Sequence, residues 1–153
     1  MNNKLKLGLL ALTGSLAIAT AVQANNFKDT DHAIKYRQSA YQVIAYNFGD
    51  MSAMLKGEKP FDATVFAKRA TNVAALSLIP EEGFITGSDK GNTEALAKIW
   101  TDKADFDSKM SQFQENAAKL AVIAQSDDKD AIKAAFINTG KSCKGCHDVY
   151  KAD

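Results

Sequence analysis

Four stretches of this chain repeat their apolar residues at steps of three and four, and none alternates at the strand period for long. In the first, Ile34, Tyr41, Ile44, Phe48, Met51 and Leu55 share a face between Asp31 and Leu55, with Arg37 in one slot of the stripe. Glycines and Pro60 end it near Gly57. The second stripe runs Val65, Phe66, Arg69, Val73, Leu76 and Ile79, opened by Asp62 as an N-cap and stopped by Pro80. A third begins between Lys103 and Asp105 and carries Phe106, Met110, Phe113, Ala117, Leu120 and Ala124. The fourth runs from about Asp130 to Tyr150, with Ile132, Phe136, Thr139, Cys143, Cys146, His147 and Tyr150 facing inward or nearly so. Amphipathic segments of this length must bury their stripes against one another, which predicts an all-α, antiparallel four-helix bundle. Between the second and third stripes lies a long connection rich in glycine and polar residues, with a short helical turn expected around Glu94 to Ile99. Connections that long commonly pack over something or serve a function.

Residues 1–24 stand apart from this pattern. Lys4 and Lys6 precede an apolar run from Leu7 to Val22, and the stretch closes on Val-Gln-Ala. That is the layout of a secretory signal peptide cleaved after Ala24, leaving one domain over residues 25–153. A membrane anchor fits less well, because the apolar run is short and interrupted by Gly8, Thr13, Gly14 and Ser15. Loss of the two lysines takes the formal charge from +1 to −1. A near-neutral domain offers no electrostatic footprint for nucleic acid or an anionic membrane. The expected place of the mature protein is therefore the periplasm, in soluble form.

Both cysteines of the chain fall in "SCKGCHDVYK" near its end, three apart, with His147 directly after the second. A bridge between Cys143 and Cys146 would close too small a loop to stabilise an exported protein. Cys-x-x-Cys-His is instead the attachment signature of c-type haem. Two thiols add to the vinyl groups on one porphyrin edge, and the adjacent imidazole ligates the iron. On a helix, Cys143 and His147 share a face while Cys146 sits beside the histidine, so all three reach one macrocycle. A zinc site would need about four ligands, and outside the motif only His32 offers an imidazole. A thioredoxin-like redox pair expects a βαβ setting that is missing here. One covalent haem c per chain is the expectation.

With "IKYRQSAYQVIAYNFGDM" on its first helix and the haem motif on its last, the mature chain resembles the cytochrome c′ family over essentially its whole length. The resemblance extends through "FDATVFAKRATNVAALSLIP" and "KIWTDKADFDSKMSQFQENAAKL". It implies a bundle enclosing one haem, with His147 as the proximal iron ligand and the first helix closing the distal side. It also implies high-spin, five-coordinate iron that binds nitric oxide or carbon monoxide, and a homodimer joined through the first two helices. Arg37 and Gln38 match positions near the haem propionates, where a guanidinium suits a carboxylate. Lys151 falls where relatives carry a basic residue beside the proximal histidine. Trp100, Phe136 and Phe84 are candidate walls of the haem pocket.

Tyr41 matches the distal position, where the family often places an apolar side chain such as leucine, so the chain departs from the pattern there. A phenol at that place hinders ligand entry, donates a hydrogen bond to a bound gas, or ligates ferric iron. The expectation is that the ring packs on the haem with its hydroxyl directed elsewhere. The alternative reading is a low-spin, six-coordinate electron-transfer cytochrome with a methionine from the first helix on the iron. Met51 and Met54 lie 10 and 13 residues beyond Tyr41, roughly 15–20 Å along a helix, and cannot reach an iron beneath Tyr41. His32, near the start of the first helix, suits bis-histidine ligation no better. Catalysis is not expected, since no distal acid–base pair accompanies Tyr41. Val43 and Tyr46 fall outside the first helix's core stripe and would form a patch for a twofold partner to cover. A periplasmic redox partner is left undefined by the sequence.

Overall fold

The computed structural model describes residues 26–152, so the expected signal peptide and its cleavage point lie outside the described residues. Four long helices carry the fold: α1 (Thr30–Leu55), α2 (Ala63–Leu76), α4 (Lys103–Ile123) and α5 (Lys129–Tyr150). A one-turn helix, α3 (Lys98–Thr101), precedes α4. Among the described residues no strand forms beyond one isolated bridge.

Three of the long helices start on an aspartate whose side chain accepts an otherwise orphaned amide: Asp29 from His32, Asp62 from Val65 and Asp128 from Ala131. α1 ends as its glycine requires. Gly57 has φ of 74°, its N–H donates to Met54 O, and the next N–H, of Glu58, donates to Ala53 O at 2.9 Å. That pair of bonds is the Schellman closure, which needs a left-handed residue at this place.

Two boundaries differ from expectation. α2 stops at Leu76 rather than Ile79, because the Ser77 hydroxyl donates to Ala74 O at 2.7 Å and Ile79 N–H donates to Leu76 O, tightening the end. A 3-10 turn, Pro80–Gly83, follows. The short helix in the connection falls at Lys98–Thr101 instead of 94–99 because residues 94–96 are extended against the end of α5. Leu96 N–H donates to Tyr150 O at 3.0 Å and Ala152 N–H to Glu94 O at 2.8 Å.

Backbones pack closely between α1 and α2, α2 and α4, and α4 and α5. Their shared core holds Ile44, Met51, Phe66, Val73, Phe106, Met110, Phe113, Leu120 and Ile132. α1 and α5 meet through side chains. Phe48 of α1 stacks on Phe136 of α5, centroids 4.2 Å apart and planes 11° from parallel. The seam between those two helices is where the candidate site lies.

Candidate functional site

On α5, Cys143 and Cys146 are free thiols, half-buried against the core. Burial raises the pKa of both, so both stay protonated at neutral pH; for Cys146, nearby Lys109 offsets part of the rise. His147, one position on, is exposed rather than turned inward. Its other side lies against the protein, and that partial burial, then the charge of Lys151, hold the imidazole below its ordinary pKa. No described residue hydrogen-bonds the ring, so both nitrogens are available as ligands. Lys151 itself is clamped: its ammonium sits 2.9 Å from Glu94 Oε2, and its N–H donates to His147 O at 3.2 Å.

Across the seam, Tyr41 of α1 is close enough to Cys146 and Cys143 for their ionisation to be felt at its phenol. Desolvation first, then those two cysteines, push the phenol's pKa well above its ordinary value, while Arg37 works against the shift. Phe84, from the connection, packs against Tyr41 (6.5 Å between centroids), Trp100 (6.3 Å) and Phe106 (4.9 Å). The rings of Phe106 and Tyr150 then meet edge-on at 5.4 Å. Tyr41 and Trp100 thus both pack on Phe84, forming one aromatic wall. Phe136, also expected to line the haem, stands about two helical turns from Cys143 and packs with Phe48 and Phe66.

Arg37 is only 2% exposed, as its place on the stripe suggests, and its terminal nitrogens are taken up by the connection. One terminal nitrogen donates to Gly83 O (2.7 Å) and Ser88 Oγ (2.6 Å), the other to Ser88 O (2.6 Å) and Thr93 Oγ1 (2.8 Å). The guanidinium also lies over Phe84, 4.6 Å from its centroid. Four of its five N–H groups are therefore spent on the connection, leaving Nε–H alone for a propionate. Gln38 is drawn the same way, Nε2 donating to Asn92 O at 2.9 Å. These residues tie α1 to residues 83–93, with Phe84 held in place as a result.

Sequence reasoning missed the acceptors Ser88 and Thr93, and it missed Glu94 as the partner of Lys151. Composition marks that segment as irregular but carries no signal for which distant side chain it meets. Phe48 was read as core; that it stacks on Phe136 and approaches Gly140 was not legible.

Residues 32–151 match the family model for cytochrome C'. The chain belongs to the cytochrome c′ family. Cytochrome c′ of Rubrivivax gelatinosus is 43% identical over 126 residues, 82% of this chain and 98% of that protein. The structure of cytochrome c prime from Shewanella frigidimarina is 73% identical, with a TM-score of 0.83 over 84% of this chain and all of that one. Cytochrome c prime from Alcaligenes xylosoxidans, 38% identical with a TM-score of 0.77, has been solved as a nitric oxide complex of a variant, covering 83% of this chain and 98% of that one. A carbon monoxide-bound variant of the same protein covers 83% and 99%. The four-helix bundle is thus the family's fold, and its cofactor is haem c.

The residues present fit that cofactor. Two unbridged, half-buried thiols stand on α5, and the exposed imidazole that follows them has no hydrogen-bond partner among the described residues. Trp100 Nε1 adds a specific sign: it is a buried N–H with no acceptor among the described residues. Buried donors in native proteins are nearly always paired, and a haem propionate is an acceptor of the right charge. A bare metal ion fits poorly, since no three His, Cys, Asp or Glu gather among the described residues.

Proposed function

We propose that this chain is a periplasmic, gas-binding haem protein with high-spin, five-coordinate iron. Cys143 and Cys146 hold the haem covalently, and His147 ligates the iron on the proximal side. When bound, the haem supplies an iron atom whose sixth position takes a small diatomic such as nitric oxide or carbon monoxide. The observation that carries this reading is what α1 offers at the seam: Tyr41, half-buried against Phe84 with its phenol held protonated by burial, rather than a thioether or an imidazole. Met51 and Met54, the thioethers of α1, are locked in the core at 0% and 4% exposure. His32 is exposed and accepts from Lys28 N–H at the far end of α1. Tyr41, wedged by Phe84, admits only ligands small enough to slip past or displace its ring. Binding rather than catalysis is the proposed activity, since Tyr41 has no acid–base partner beside it.

Lys151, fixed by Glu94, places a positive charge near His147 and disfavours a protonated imidazole. Export to the periplasm rests on the signal-like residues 1–24; no helix among the described residues is long and apolar enough to cross a membrane. A homodimer through α1 and α2 is supported by Val43 and Tyr46, exposed at 48% and 66% on one face of α1. Electron paramagnetic resonance of the ferric protein tests the coordination. A high-spin signal is expected; a purely low-spin signal would mean a protein ligand on the sixth position and favour electron transfer.

A further inference from the structure

We propose that Trp100 positions the haem: its indole N–H donates to a haem propionate, whose negative charge at the same time balances the buried cation of Arg37. This role rests on a haem held by Cys143 and Cys146, and not on the coordination of its iron. Two independent observations meet on one ring. Trp100 Nε1 is a buried donor with no acceptor among the described residues, a condition rare in native proteins. Arg37 is a buried cation, 2% exposed, whose four hydrogen-bond partners are all neutral: Gly83 O, Ser88 Oγ, Ser88 O and Thr93 Oγ1. Burial lowers its pKa further than Tyr41 and Asp89 raise it, so its charge is under-compensated. Fully buried cations are ordinarily paired with an anion.

Both groups pack on Phe84. The Arg37 guanidinium carbon lies 4.6 Å from the ring centroid and the Trp100 ring 6.3 Å from it. Trp100 is tethered to the haem-bearing helix by the segment just before it. Leu96 N–H donates to Tyr150 O at 3.0 Å, Ala152 N–H to Glu94 O at 2.8 Å, and the Lys98 ammonium lies 5.7 Å from the Tyr150 ring centroid. Backbone acceptors close by are already in use. Ala97 O accepts the Trp100 backbone N–H, and Lys98 O accepts from Asp102 N–H and the Thr101 hydroxyl. A buried water would satisfy the indole and leave the Arg37 charge unanswered. A carboxylate answers both, because one oxygen accepts from the indole while its charge lies in the field of the guanidinium. The haem brings two carboxylates, on a different edge from the vinyl groups that the cysteines take.

The test uses the full chain matured with haem. Resonance Raman excited in the strongest haem absorption band reads the propionate bending modes, which rise in frequency when the carboxylate accepts a hydrogen bond. Three forms are compared in H2O and D2O: the native protein, Trp100→Phe, and the protein with its one tryptophan replaced by the isostere that carries sulfur in place of the N–H. One propionate band is expected at lower frequency in both forms that lack the donor. Its shift in D2O is expected in the native protein and lost in the other two. The isostere keeps the shape and packing of the indole, so it decides the matter if Trp100→Phe fails to fold. Identical bands and identical solvent-isotope shifts in native and isostere forms would overturn the proposal. The same spectrum carries the spin-state marker bands of the iron. A low-spin, six-coordinate pattern there would overturn the gas-binding reading, while the propionate comparison would still decide the role of Trp100.

Discussion

Removing the Arg37 guanidinium would strip Gly83, Ser88 and Thr93 of their donor together. Arg37→Met should therefore lower the stability of the haem-loaded protein by about 3 kcal/mol, the range for charged hydrogen bonds broken in a buried network. Thermal unfolding reads this directly. Arg37→Lys should recover only part of the loss, because a single ammonium cannot span acceptors that two guanidinium nitrogens reach. At this scale the sequence was legible where chemistry is local. Cys143, Cys146 and His147 declare themselves through a spacing that only a shared macrocycle requires. Arg37 declared its burial through its place on an apolar stripe, but its partners lie about 50 positions away, beyond any periodicity. Trp100 was visible as an aromatic, whereas its unpaired N–H emerges only when the neighbouring atoms are placed.

The elements differ in how firmly their ends are fixed. α1 has a capping aspartate and a left-handed glycine, both readable in advance. α2 loses its last turn to a serine that bonds back to the helix, an outcome its stripe does not encode. The turn after it sits hard against α1. A Cβ at Gly83 would fall 2.8 Å from both Ala33 O and Arg37 Cβ. Gly83→Ala should thus cost about 1–3 kcal/mol through overpacking and loosen the Arg37 contacts, seen as lowered denaturation midpoints and faster cleavage within residues 84–97. Where α1 meets α2, Asp50 accepts from Lys59 (2.6 Å) and Arg69 (2.8 Å), and these bonds hold its carboxyl below the ordinary value of 3.8. A lowered carboxylate pKa contributes stability above the ordinary value and loses it as pH falls through the folded value. Asp50→Asn should consequently show a shallower loss of stability on acidification below about pH 4, measured by urea unfolding across pH. The effect will be modest because the cluster lies at the surface, within reach of water.

For the molecule as a whole, the bundle was legible because four long stripes leave few ways to bury themselves. The seam between α1 and α5 was not, since which helices pack closely and which meet only through side chains depends on all four together. Val43 and Tyr46 mark the outer face of α1, and the proposed dimer makes a plain claim on them. Tyr46→Glu should turn a dimer into a monomer in sedimentation velocity while leaving the haem spectrum unchanged; a native protein that sediments as a monomer at every concentration would remove the dimer from the account. The central claim concerns the iron, and one measurement reaches it most directly: the optical spectrum of the reduced, haem-loaded protein before and after carbon monoxide. A broad high-spin spectrum that shifts on adding the gas is the expected result, since Met51 and Met54, the thioethers of α1, are locked in the core. Sharp low-spin bands unmoved by carbon monoxide would show a protein ligand already on the iron, and would contradict the account.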